Sequence, residues 1–398
     1  MFKFKVAIYS GSIPSTIFIE NLIEALSSQN INIYIFGHKT GNYLKPSENI
    51  ILFVRPNHRL GRIYYFLKQV LILCLSKPKN FYKLIKYYIY NSNEINMHFI
   101  LWLNKVIPIV NNLPDIFHIQ WAKSLKHWIF LNEIFKTKII LSLRGAHINY
   151  SPIYDEKLAN EYKKMFSKVD FFHAVSYAIL NEASKYFDIK SKSQIIYTGF
   201  NNLILKKKKK YKTTTTFKFI SVGRYHWKKG YQYSISAINI LLKAGYDVNY
   251  TIITEGQPTE EILYQIQDMR IFNNIQLISL AKQEDIYRKI INSSCLILSS
   301  VEEGIANVVI EAMGLGTPVI SSDCGGMSEV ISDNENGLLY KSRDVNSLVS
   351  SMKNMIEMED KDRIMMIENA KNKIKSEFSM ERLGSKMYKL YLNVLNET

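Results

Sequence analysis

Nowhere in the 398 residues is there a run of about 18 apolar residues, the length a membrane-crossing helix needs. Cysteine is scarce. Cys74, Cys295 and Cys324 stand far apart with no C-x-x-C pair, which argues against a disulfide framework or a structural zinc and for a reducing compartment. Histidine and cysteine show no metal-ligand spacing. No G-x-G-x-x-G follows the first apolar run and no G-x-x-x-x-G-K-S/T occurs, so a dinucleotide fingerprint and a P-loop are both absent. The opening MFKFKVAIYSGS has an apolar core too short for a signal peptide and reads as a first strand. Acidic residues are missing from Arg55 to Tyr90, a stretch rich in lysine, arginine and tyrosine.

What is present describes a globular protein. The hydrophobic fraction is 47% and the charged fraction 22%, and 398 residues suit two domains of about 150–200 residues each. The net charge of +16 is unevenly spread, with +13 before residue 206, −3 after residue 212, and the rest on Lys206–Lys210 and Lys212. A basic first half suits nucleic acid or an anionic lipid surface, and compositional bias toward lysine is a third source. The acid-free stretch Arg55–Tyr90 reads as core helices, as a basic amphipathic segment lying on a membrane, or as a platform for single-stranded nucleic acid.

Short β-branched runs alternate with helical patterns along most of the chain. Strands are predicted at Val6–Tyr9, Ile31–Phe36, Ile50–Val54, Ile116–Ile119, Lys138–Leu143, Phe171–Val175 and Gln194–Tyr197. A second series follows at Phe217–Val222, Val248–Ile253, Ile275–Ile278, Cys295–Ser299, Val319–Ser321 and Leu338–Tyr340. Runs apolar on both faces and separated by helices predict parallel sheets, hence two doubly wound α/β domains. The expected division is a first domain over 1–204, a Lys/Thr-rich linker over 205–216, and a second domain over 217–376. A final helix over 377–398 would pack on one domain or cross back to the first. In it Leu383, Met387, Leu390, Tyr391 and Val394 recur at helical spacing.

Two segments carry chemistry. In VGRYHWKKG (222–230), Gly223 and Gly230 bracket a loop after the first strand of the second domain, where open α/β sheets bind ligands. Arg224 and Lys229 suit the oxygens of a diphosphate, while Lys228 reads as solvated. In SSVEEGIANVVIEAMGLGTPVISSDCGG (299–326), Gly304 allows close approach of backbone to a ligand, and the helix starting near Ala306–Val308 offers free N–H groups to an anion. Glu303 and Glu311 stand eight residues apart, and Glu311 lies in an apolar run where a carboxylate needs a polar partner. Sugar or ribose hydroxyls would serve. A basic surface loop followed by a capped helix explains the same residues without a ligand. Asp360 and Asp362 form a D-x-D that reads as a helix start.

Taken together, Gly223-Arg224, Lys229-Gly230, Ser300, Glu303-Gly304, Glu311-Ala312-Met313, Gly316-Thr317-Pro318-Val319 and Gly325-Gly326 resemble, in order and spacing, the family-4 retaining glycosyltransferases. The resemblance is good over the second domain and loose over the first. It implies the GT-B fold, two Rossmann-like domains facing across a cleft. It also implies a retaining, metal-independent transfer from a nucleotide-diphosphate sugar to a glycan, with no separate cofactor. Arg224 and Lys229 would neutralise the leaving diphosphate, Glu311 would hold the ribose and Glu303 the donor sugar, with Gly223, Gly304, Ile305, Ala306 and Asn307 lining the donor. Thr254-Glu255-Gly256 and Ser279-Leu280-Ala281 replace family glycines near the nucleobase, which brings Glu255 toward the donor.

The first domain resembles the branch that builds bacterial surface polysaccharides, which implies a lipid-linked acceptor and a place on the inner face of the cell membrane. GSIPSTIFIENLIEAL (11–26) looks like that branch's opening loop and first helix, with Gly11 at the donor. His118 matches a strand-end histidine of the family, which implies a catalytic role, and it reads equally as a satisfied core histidine. Arg144 stands where many members carry a catalytic histidine, so an anionic contact is expected of it. A same-fold nucleotide-sugar epimerase, a nucleic-acid-binding protein and an inactive sugar-binding subunit are the rival readings.

Overall fold

The computed structural model describes residues 4–41, 43, 47–95, 97–200, 216–279 and 282–396. The chain folds as two compact units. The first comprises Met1–Val175, Ile179–Gly199 and Met380–Thr398, and the second Ser176–Ala178 and Phe200–Ser379. The Lys/Thr-rich stretch 205–216, apart from Thr216, lies outside the described residues.

The first unit holds a seven-stranded sheet of β1 (Lys5–Ile13), β2 (Asn32–Lys39), β3 (Ile50–Arg55), β4 (Ile116–Ile119), β5 (Lys138–Leu143), β6 (Phe171–Ala174) and β7 (Ser193–Ile195). Their spatial order is β3-β2-β1-β4-β5-β6-β7, and every pairing is parallel. The second unit holds β8 (Phe217–Val222), β9 (Val248–Thr254), β10 (Ile275–Ser279), β11 (Cys295–Leu298), β12 (Val319–Ser322) and β13 (Leu338–Tyr340). These are ordered β10-β9-β8-β11-β12-β13 and are again parallel throughout. All thirteen expected strands are present, and the buried runs of β4 and β11 show why they lack alternation: helices cover both faces.

Two features of the first unit stand out, the first a departure from expectation and the second one of the expected placements of the final helix. β1 continues to Ile13, so Gly11 sits within the strand and not in an opening loop, at φ +90° where the register with β2 shifts. The helix Met380–Asn396, last in the chain, packs into the first unit's core. It buries Leu383, Met387, Leu390, Tyr391 and Val394 beside Ile19, Leu22, Ile23 and Leu26 of the helix Ile17–Ser27. Each such side chain contributes about 2 kcal/mol by leaving water. Gly384 permits the approach, because a Cβ there would lie 2.2 Å from the Ala25 carbonyl oxygen.

Candidate functional site

β8 and β11 are neighbours in space although β9 and β10 separate them in sequence, so the strand order reverses between them. That reversal leaves a crevice at the strand C-termini, the usual ligand position in such sheets. The loops after β8 and β11 meet there. Gly230 adopts φ +62°, and a Cβ on it would stand 2.1 Å from the Ser299 carbonyl oxygen, so a side chain would force the loops apart. Val301 N–H donates to the Lys228 carbonyl at 2.6 Å, and Ser299 Oγ donates to the Lys229 carbonyl at 3.0 Å.

This stitching sets the side chains. Lys229 Nζ donates to Glu303 Oε1 at 2.6 Å, and Ser300 Oγ donates to the same oxygen at 2.9 Å. Lys228 Nζ lies 3.7 Å from Glu303 Oε2. Lys228 is therefore not solvated as expected, because its carbonyl bond to Val301 turns it back over the β11 loop. Glu303 is only 8% exposed. Burial alone would raise its carboxyl pKa, but the Lys229 and Lys228 charges and the Lys229 and Ser300 hydrogen bonds outweigh burial and hold it below the ordinary value. Gly325 backs this arrangement at φ +54°, where a Cβ would sit 1.7 Å from the Glu303 carbonyl oxygen. Buried Gly304 leads through Ile305 to the helix Asn307–Leu315, whose N-cap Ala306 supplies no side-chain acceptor.

The other expected donor-side residues are placed as follows. Arg224 is exposed, with its guanidinium paired to no carboxylate among the described residues. Gly223 N–H donates to the Ile253 carbonyl, and its own carbonyl accepts from Tyr231 Oη at 2.8 Å. Glu255 is exposed in the turn after β9. Residues 280 and 281 lie outside the described residues. Glu311 Oε1 accepts from Tyr287 Oη at 3.2 Å and from Gln283 Nε2 at 3.4 Å, and burial pushes its carboxyl pKa up to about 7. Sequence reasoning missed Tyr287 and Gln283. Their four-residue spacing on the helix Gln283–Ile291 was the available signal. Asp360 and Asp362 occupy the first turn of the helix Asp360–Glu377, the placement expected of them.

In the first unit, His118 has the contacts of a satisfied core histidine and not those of a catalytic one. It is fully buried, with Nδ1 2.8 Å from Tyr391 Oη and Nε2 2.9 Å from Ser142 Oγ. Ser142 Oγ also lies 2.8 Å from His173 Nδ1, and His173 Nε2 lies 2.9 Å from the Ile196 carbonyl. A carbonyl can only accept, so His173 carries its hydrogen on Nε2. Every other hydrogen then follows: Ser142 donates to His173 Nδ1, His118 Nε2 donates to Ser142, and Tyr391 donates to His118 Nδ1. Burial keeps both imidazoles neutral, lowering His173 to about 3 and His118 well below its usual value. His118 thus has no free nitrogen for a substrate. Arg144, half-buried, donates from Nη2 to Gln120 Oε1 at 3.1 Å and stacks 4.6 Å from the Phe18 ring, with no carboxylate partner among the described residues.

Comparison with known proteins shows what these features resemble. Residues 204–373 match the family model described as "Glycosyl transferases group 1". The matched stretch lies in the domain formed by the second unit. That domain contains the whole Lys229–Glu303–Glu311 constellation. Over longer stretches the chain is 27% identical to an uncharacterized glycosyltransferase of Methanocaldococcus jannaschii, across 55% of this chain and 58% of that protein. It is 25% identical to the amylovoran biosynthesis glycosyltransferase AmsK of Erwinia amylovora, across 67% of each. Among solved structures, HepE of Anabaena in complex with UDP-glucose superposes with a TM-score of 0.71 at 14% identity, covering 98% of this chain and 100% of that one. That likeness is one of fold, and with the two parallel-sheet units it identifies the GT-B class. Among the described residues no helix is long and apolar enough to cross a membrane.

Proposed function

We propose that the chain is a retaining, metal-independent glycosyltransferase of bacterial surface-polysaccharide synthesis, moving a sugar from a nucleotide-diphosphate donor to a lipid-linked glycan. The observation that carries this reading is the Lys229–Glu303 pair at the β8/β11 crevice, beside the start of the Asn307–Leu315 helix. Glu303 takes one of the three ammonium hydrogens of Lys229 and leaves two for diphosphate oxygens. Arg224, exposed and unpaired, adds a second cation that can grip two oxygens at once. Charge growing on the leaving diphosphate would meet donors already in place, with no metal required. The leaving phosphate would take the acceptor proton on the same face, which retains the anomeric configuration. Glu311 keeps Oε2 for ribose hydroxyls, its Oε1 being held by Tyr287 and Gln283. AmsK, named for amylovoran biosynthesis, and HepE, solved with UDP-glucose, support the substrate class.

A thermal-shift panel of nucleotide sugars tests the reading. One nucleotide sugar should raise the melting temperature of the unmodified protein, by an amount set by its concentration over Kd. Glu311→Ala should abolish both the shift and transfer while the apo protein still melts cooperatively. Full turnover in that folded variant removes the assignment.

Attachment to an anionic membrane face is the second part of the proposal. The helix Arg59–Ser76 buries only Leu73, while Leu60, Ile63, Tyr64, Leu67, Leu71 and Leu75 are exposed at positions that line one stripe. A solvated helix rarely carries such a face. With Arg59, Lys68, Lys79, Lys83 and Lys86 nearby and no acid from residue 56 to 93, an anionic bilayer is the complementary surface. Charge reversal of Lys68, Lys79, Lys83 and Lys86 should weaken binding to anionic vesicles and leave donor affinity unchanged. An unmodified protein that ignores such vesicles at low salt overturns this part.

A further inference from the structure

A second cationic site lies in the first unit, apart from every residue invoked above. β2 and β3 pair in parallel so that His38 stands opposite Arg55 at their C-terminal ends. The helix Phe99–Asn111 brings Lys105 to the same place, and Arg62 enters from the helix Arg59–Ser76. Together with Tyr65 and Leu101 they line a cavity of about 400 Å³.

The charge in this cavity is uncompensated. Arg55, Arg62 and Lys105 bring basic side chains, His38 adds donor capacity, and no aspartate or glutamate lines the walls. None of the three cations forms an ion pair among the described residues. Burial and the nearby Arg55 charge depress the Lys105 ammonium pKa, so the two repel at close range. Folding cations together without a carboxylate is unfavourable unless an anion joins them. Arg55 and Arg62 present planar forks suited to phosphate oxygens, Lys105 adds a point charge, and Tyr65 with Leu101 supplies apolar wall for whatever the phosphate is esterified to.

We infer that this cavity binds the phosphate or diphosphate of an organic phosphate ester, distinct from the donor nucleotide. Taken with the proposed function, which this refinement rests on for its meaning, the ester is the acceptor. The shared chemistry, a phosphate with an apolar substituent, has two sources: an isoprenyl diphosphate held in a membrane, or a soluble sugar phosphate.

Pyrophosphate binding, followed by calorimetry at low salt, tests the site in the full chain. Three proteins are compared: unmodified, Arg55→Gln with Lys105→Gln, and Lys229→Gln. The unmodified protein should show a component that survives Lys229→Gln and weakens by about tenfold or more in the double variant, as expected for loss of charged hydrogen bonds. Lys105 is exposed as a residue, so Lys105→Gln alone keeps the test usable if the double variant unfolds. Pyrophosphate binding that is unchanged by these substitutions, or that vanishes entirely with Lys229→Gln, overturns the inference. Failure of the donor reading looks different: no nucleotide sugar binds, while the Arg55-dependent component remains. Phosphatidylcholine vesicles carrying an isoprenyl diphosphate then separate the sources. Binding above plain vesicles that requires Arg55 and Lys105 assigns the membrane-borne ester, and binding of free pyrophosphate alone assigns a soluble one.

Discussion

In the first unit Tyr391, His118, Ser142 and His173 bond to one another and to the Ile196 carbonyl, each hydrogen finding an acceptor within the set. In the second unit Glu303 gathers Lys229, Lys228 and Ser300 but leaves ammonium hydrogens over, and Arg224 has no carboxylate partner among the described residues. Both groups sit at or near the ends of parallel strands. One is neutral and closed, which makes it part of the core. The other is charged and open, which makes it a place to hold a ligand. Residue type alone does not separate them, since histidine and serine are as much catalytic residues as lysine and glutamate. What separates them is whether donors and acceptors balance without an outside molecule.

The largest effect expected from this contrast lies in the second unit. Lys229→Ala should lower the transfer rate by about 10²–10³, the loss typical of removing one preorganised donor to a developing anion. Ser142→Ala in the first unit should leave the rate per folded molecule unchanged. Single-turnover measurements on both variants decide the matter, and a Lys229→Ala enzyme within twofold of the unmodified one would erase the distinction.

Next comes pH, where the two units should respond with opposite signs. His173 stays neutral in the fold down to about 3, whereas in the unfolded chain it takes up a proton near the ordinary histidine value of 6.5. Below about 6.5 the unfolded state binds more protons, so the first unit should lose stability as pH falls, by about 1.4 kcal/mol per pH unit for each such histidine. Glu311 works the other way. Its folded pKa of about 7 exceeds the ordinary glutamate value of 4.5, so its contribution to the second unit declines as pH rises between those values. Trp102 and Trp128, buried in the first unit, report its denaturant unfolding by fluorescence, and hydrogen exchange can follow the second. A first unit equally stable at about pH 5 and pH 7 contradicts the neutral, directed relay.

The smallest change expected is in equilibrium stability. Ser142→Ala strands His118 Nε2–H and His173 Nδ1 in the core and should cost about 1–3 kcal/mol in urea unfolding. A variant as stable as the parent would mean that the relay contributes nothing.

Most of the architecture was readable before the coordinates. Buried runs such as IILSL of β5 and CLIL of β11 do not alternate because they are covered on both faces, and that marks a parallel sheet. The charged site in the second unit was readable because its parts are local loops with glycines at fixed offsets. Three things were not. The His118–Tyr391 bond joins residues 273 apart, and nothing near His118 announces its partner. Lys228 and Lys229 look alike in sequence, and only the backbone bond from Val301 turns both toward Glu303. The extension of β1 through Gly11 depends on its pairing with β2, where Gly11 meets Gly37.

The helix Met380–Asn396 has a consequence for how the protein is made. Tyr391 begins the relay, and Leu383, Met387 and Leu390 close the core beside the helix Ile17–Ser27. The ribosome delivers these side chains only after the whole second unit. The unit that starts first is therefore the one that must wait, its apolar helix Ile17–Ser27 uncovered while some 350 further residues emerge. Long-separated contacts of this kind slow folding. A nascent chain halted before Met380 should hold a finished second unit attached to an unfinished first one, and so present chaperones with only one of the two.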